Sequence, residues 1–161
     1  MKEVEKLKIM FICTGNTCRS AMAEAIMKKK IQEEKLSIEV FSCGIYAMDG
    51  DTATGLAIDA MKKRGIDLSN HRATNIKQSD ILQMDFILCA TEEHKKIVEL
   101  LYPEKKEQIY TIKEYAYGTN IINKNIKDPW GYSMDTYESV AEELEDCINK
   151  IIEKIKNQQQ K

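Results

Sequence analysis

This chain of 161 residues lacks any long apolar run. The stretch from Ile9 to Cys13 is far short of the roughly 20 residues a membrane helix needs, and too short for a signal peptide. No membrane partner is therefore expected, and a reducing, cytoplasmic setting is the expectation. An excess of one charge is also missing: 24 Lys and Arg stand against 26 Asp and Glu, a net −2. No overall field draws the protein to nucleic acid, so any anion it handles must be held by a local site. Histidine is scarce, with only His71 and His94, and neither lies at ligand spacing from a cysteine pair. No CxxC pair occurs either, which argues against a zinc site, and no metal or other cofactor is expected. The five cysteines are odd in number, which argues against a disulfide framework in such a compartment. Cys43, Cys89 and Cys147 read as small core residues.

What is present is an alternation of strands and helices. Lys8 to Ile12 is a short β-capable run, followed by a turn-rich stretch and, from Ser20 to about Lys35, an amphipathic helix. Ser37 to Cys43 alternates like a strand and ends at Gly44. Thr52 to Arg64 reads as a helix with Gly65 as its C-cap. Asp85 to Ala90 is a buried-type strand, Glu92 to Tyr102 a helix closed by Pro103, and Gln108 to Ile112 a further short strand. Asp135 and Glu138 have the spacing of a capping box for a last helix, and the tail after Lys156 reads as frayed. No repeat or linker divides the chain, so residues 1–161 are expected to form one domain. Its fold class is expected to be α/β, a four-stranded parallel sheet flanked by helices on both faces. Such sheets bind ligands beyond the carboxyl ends of their strands, where the loop after Ile12 sits.

That loop carries the chemistry. Cys13-Thr14-Gly15-Asn16-Thr17-Cys18-Arg19-Ser20 links a strand to a helix. A short loop there aims several backbone N–H groups and the positive end of the helix dipole at one point, which suits a tetrahedral oxyanion and favours a thiolate at Cys13. Arg19 is placed to curl back and clamp two phosphate oxygens with its planar fork. Ser20 can donate to the Cys13 sulfur and ease its departure. With five cysteines and three arginines in the chain, Cys-x5-Arg spacing alone is weak evidence. The strand before it, the Gly-Asn within it and the helix after it make it specific. A nucleotide-binding GxxxxGK[ST] is absent.

The segment resembles the signature loop of the low-molecular-weight protein tyrosine phosphatase family, Cys-x-Gly-Asn-x-Cys-Arg-Ser. The resemblance continues through Ala23-Glu24-Ala25 and Ser42-Cys43-Gly44 to Asp128-Pro129-Trp130. Ala21 departs from it, standing where proline is usual, which removes a helix-start preference but no chemistry. The resemblance implies Cys13 as nucleophile, Arg19 as clamp and Asp128 as general acid, with Pro129 stiffening the acid's loop. Thr14, Gly15, Asn16, Thr17, Cys18 and Ser20 would hold the phosphoryl group. Asn16 would take a left-handed conformation, a role asparagine tolerates, and His71 would brace the loop or play no part. Trp130 would wall the pocket or merely pack, and Cys18 would pair with Cys13 under oxidation or only fill space.

Within this family the resemblance leaves a tyrosine phosphatase and a bacterial protein arginine phosphatase, both acting on phosphorylated proteins. Thr17 points to the arginine branch, because tyrosine phosphatases usually carry a bulky aliphatic there to press on an aromatic ring. Lys113-Glu114-Tyr115 and Gly131-x-Ser133-x-Asp135-x-Tyr137 also resemble that branch. A thioredoxin-linked arsenate reductase would need two further cysteines about eight positions apart, and after Cys89 the next is Cys147. A non-catalytic phosphate reader would be expected to have lost Cys13, Arg19 or Asp128.

Overall fold

The central strand of the sheet runs straight into the cysteine loop. In the computed structural model, which describes residues 5–159, β1 (Leu7–Cys13) lies between β2 (Ile38–Gly44) and β3 (Phe86–Cys89), with β4 (Ile109–Thr111) at one edge. The order is β2-β1-β3-β4 and every pairing is parallel, as expected. The helices are α1 (Arg19–Glu34), α2 (Gly55–Lys62), α3 (Glu92–Leu101), α4 (Ile112–Tyr117) and α5 (Met134–Gln159).

Because successive strand residues face opposite sides, β1 feeds two cores. Ile9 and Phe11 pack with Met22 and Ile26 of α1 and Leu144, Ile148 and Ile151 of α5. Met10 and Ile12 pack with Ile87 of β3, Val98 of α3, and Ile76 and Ile81 from two short 3₁₀ turns. Burial on both faces explains why KIMFI reads as a continuous apolar run. Cys43, Cys89 and Cys147 are all fully buried, as expected. Among the described residues no helix is long and apolar enough to cross a membrane.

Several boundaries differ from those expected. The second helix starts only at Gly55, because Thr52 forms an antiparallel bridge with Arg72, and Thr54 caps the helix by accepting from Ala57 N at 3.3 Å. Pro103 closes α3 at its C-cap Tyr102, as expected, and also opens a 3₁₀ segment, Pro103–Gln108. The capping box forms at Thr111 and Glu114, opening the unexpected α4. Asp135 and Glu138 form none: α5 already begins at Met134, and Glu138 pairs with Lys63 at 2.8 Å. Nor does the tail fray after Lys156, since α5 continues to Gln159; the last two residues lie outside the described range.

Candidate active site

The loop between β1 and α1 is held from outside so that its interior stays free. Ile45 N donates to Cys13 O at 3.0 Å, Tyr46 N to Thr14 O at 2.9 Å and Thr54 N to Thr17 O at 3.1 Å. His71 Nε2 lies 2.7 Å from Asn16 O, so this histidine does brace the loop. With those carbonyls turned outward, the N–H groups of Thr14 to Cys18 find no protein acceptor among the described residues. Helix α1 adds its own free N–H groups, because Cys18 at its N-cap makes no side-chain cap and its first turn carries no acid. The result is an anion nest at the positive end of a helix.

Asn16 is the keystone of the loop. It is fully buried with φ of 56°, the left-handed conformation expected of it. Its Nδ2 donates to Ser20 Oγ at 2.8 Å and to Ser42 Oγ at 2.9 Å, while its Oδ1 accepts from Thr74 N at 2.9 Å. Ser42 in turn donates to Glu24 Oε1 at 2.6 Å. Since Ser20 Oγ accepts from Asn16, its own proton is free to point at Cys13 Sγ, 2.9 Å away. Cys13 is only 3% exposed, so the sulfur reaches outward through the loop alone.

Gly44 pairs with Cys13 across the two strands and has no room for a side chain. A Cβ there would lie 2.6 Å from Thr14 O and 2.8 Å from Asn16 N, backbone atoms of the loop itself. Gly44→Ala is therefore expected to displace the nest. Its kcat/KM should fall by about tenfold or more, with a stability loss of about 1–3 kcal/mol in a denaturant titration. Unchanged kinetics would show that the loop does not depend on this contact.

Arg19 is buried, its Nη1 donating to Ile126 O at 3.0 Å and its Nη2 lying 3.7 Å from Asp128 Oδ2. Asp128 thus comes to the mouth of the nest from far along the chain, half-exposed, with Oδ1 accepting from Trp130 N at 3.1 Å. Trp130 does not pack: it is 69% exposed, as are its neighbours Tyr132 at 55% and Tyr46, bonded to the loop, at 70%. Cys18 Sγ lies 3.4 Å from Tyr137 Oη and 3.5 Å from Thr54 Oγ1, so α5 and α2 both meet the loop there.

Electrostatics separate the cysteines. Burial pushes the Cys43 thiol up to about 12 and that of Cys147 to about 11, and Cys89 rises well above the usual range for the same reason. These three stay protonated and inert. No motif marks His94 as part of this site. Its Nε2 lies 2.8 Å from Thr14 Oγ1, and burial, then the Arg19 charge, press its pKa down to about 4.

Comparison with known proteins agrees with this geometry. Residues 8–161 match the family model "Low molecular weight phosphotyrosine protein phosphatase". A protein-arginine-phosphatase from Geobacillus stearothermophilus is 34% identical over 94% of this chain and 98% of its own length. A low molecular weight protein tyrosine phosphatase from T. tengcongensis superposes with a TM-score of 0.86 at 37% identity, over 92% of this chain and 99% of that one. A cysteine-to-serine variant of YwlE arginine phosphatase, with its active-site serine phosphorylated, superposes with a TM-score of 0.87 at 32% identity, over 93% and 96% of the chains. This chain belongs to the low molecular weight phosphotyrosine protein phosphatase family.

Proposed function

We propose that this protein removes phosphoryl groups from arginine side chains of other proteins, through a phosphocysteine at Cys13. The observation that carries the reading is one geometry: Cys13 Sγ at the floor of an anion nest, 2.9 Å from Ser20 Oγ, with the Arg19–Asp128 pair at its mouth. The nest and Arg19 hold the three phosphoryl oxygens. The Cys13 thiolate attacks phosphorus as the bond to the leaving nitrogen breaks, and Asp128 gives that nitrogen its proton. Asp128, now a carboxylate, takes a proton from water as the water attacks the phosphocysteine. Phosphate forms and the sulfur leaves as a thiolate, stabilised by Ser20. We read residues 1–161 as one such domain, working in the cytoplasm, where unpaired thiols persist.

Two observations favour arginine. The G. stearothermophilus relative is named a protein-arginine-phosphatase. Thr17, half-buried in the loop, makes among the described residues only a long 3.9 Å contact with Cys18 Sγ, so its hydroxyl is available to a guanidinium N–H. The tyrosine reading draws on the exposed rings of Trp130 and Tyr132 and on the T. tengcongensis relative. Thr17→Ile decides between them, since it removes the hydroxyl and adds apolar volume. On phosphoarginine peptides its kcat/KM should fall by about 5- to 100-fold, the worth of one hydrogen bond to a charged group, while phosphotyrosine turnover should rise. Wild-type protein that ignores phosphoarginine would leave the tyrosine reading standing.

Mild peroxide is expected to join Cys13 and Cys18 reversibly. The Cys18 thiol would first have to turn away from Tyr137 and Thr54. Mass spectrometry after alkylation reads the outcome, and sulfinic acid at Cys13 alone would make Cys18 a packing residue.

A further inference from the structure

His94 is 7% exposed and sits in the first turn of α3, outside every motif that carries the family resemblance. Its backbone N–H donates to Thr91 Oγ1 at 3.1 Å, and its ring Nδ1 lies 2.9 Å from the same oxygen. The other ring nitrogen, Nε2, lies 2.8 Å from Thr14 Oγ1, across 80 residues of chain. Thr91 Oγ1 accepts the backbone N–H and has one proton to give, and we assign that proton to the bond with Nδ1. Nε2 then carries the ring proton and donates it to Thr14 Oγ1. The Thr14 hydroxyl, thus fixed, directs its own proton away from His94. Thr14 is exposed and directly follows Cys13, and His94, which reaches it, lies close enough to Arg19 and Asp128 to feel both charges.

We propose that His94 is a positioning residue of the phosphatase site, which fixes the Thr14 hydroxyl as an additional hydrogen-bond donor toward the bound phosphoryl group. The inference rests on the phosphatase reading above and extends it to a residue that touches no substrate. The low pKa of His94, set by burial and by the nearby Arg19 charge, keeps the ring neutral at ordinary assay pH, as the role requires. A charged ring would need an acceptor at both nitrogens, and Thr91 Oγ1 would then have to accept twice.

The test is a double-mutant cycle with para-nitrophenyl phosphate as substrate and inorganic phosphate as inhibitor. His94→Ala and Thr14→Val should each lower kcat/KM by about tenfold, the worth of one good hydrogen bond. Their combination should be little worse than either alone, because one acts through the other. His94→Gln, whose side-chain amide can still donate to Thr14, should recover most of the activity and of the phosphate affinity. Losses that multiply in the double variant, or a silent Thr14→Val, would overturn the proposal. A measurement on unmutated protein guards against misfolding of the variants. A proton–nitrogen correlation spectrum near neutral pH should show the His94 ring neutral and protonated at Nε2, and the Nδ1–H form would also overturn it. Wild-type protein inert toward phosphoarginine and every phosphate ester, yet with the Nε2–H form intact, would instead overturn the phosphatase reading, and this inference with it.

Discussion

Cys13→Ser is expected to abolish turnover while leaving phosphate binding intact. A serine hydroxyl is not ionised near neutral pH and its alkoxide leaves far less readily than a thiolate, so attack is slow and any phosphoserine formed is not hydrolysed; losses on the order of 10⁴–10⁶ are usual for such a change. The anion nest is another matter. It is made from the N–H groups of Thr14 to Cys18 and from Arg19, and the outward carbonyls that shape it are held by Ile45, Tyr46, Thr54 and His71. None of these contacts involves the sulfur. Steady-state kinetics on an aryl phosphate should therefore show the loss, while calorimetry with inorganic phosphate should show affinity close to wild type. Turnover near the wild-type rate in Cys13→Ser would mean that another group attacks phosphorus.

Asp128→Asn should separate leaving groups. An asparagine amide cannot supply a proton, and a general acid is worth about 10²–10⁴ in rate when the leaving group needs one. The nitrogen of a phosphoarginine side chain needs one, whereas a nitrophenolate leaves unaided. The large loss in kcat/KM, which reports the steps up to formation of the phosphocysteine, is therefore expected on phosphoarginine peptides and a much smaller one on para-nitrophenyl phosphate. Asparagine keeps an oxygen that can still accept from Trp130 N, as Asp128 does at 3.1 Å, so the loop should hold its shape. Loss of the charge 3.7 Å from Arg19 would affect both substrates alike, which makes their ratio the informative quantity. Equal losses on the two would remove Asp128 from the role of acid.

The parts of this site that were legible in the sequence are those whose chemistry is local. Cys13 to Ser20 are consecutive, and the strand–loop–helix context that turns them into a nest follows from the pattern on either side. The left-handed conformation of Asn16, with its φ of 56°, was implied by the family resemblance, and asparagine is one of the few residues that tolerate it. His71 could be placed only through the family resemblance, because its bond to Asn16 O spans 55 residues. His94 escaped altogether: its signal is a pair of threonines, Thr14 and Thr91, on two different strand-to-helix connections, and no spacing rule links them. The same limit shaped the fold. Helix α4 has six residues, too few for periodicity to reveal, and it is secured by a capping box whose Thr111 ends β4. Conversely, Asp135 and Glu138 carried the spacing of a cap, but Glu138 reached a tertiary partner, Lys63, instead. Local propensity lost there to a contact the sequence does not display.

The claim on which everything else depends is that the phosphoryl group passes through sulfur. It is tested most directly by mixing the protein with a phosphoarginine peptide, quenching within milliseconds and locating phosphate on the chain by mass spectrometry. Asp128→Asn would be run in parallel with para-nitrophenyl phosphate, whose leaving group needs no acid, since losing the group that activates the attacking water should then lengthen the intermediate's life. A phosphate on Cys13 that appears before free phosphate and then decays is expected, with none on Cys18, Cys43, Cys89 or Cys147. Free phosphate released at the full rate with no phosphocysteine at any time would contradict it.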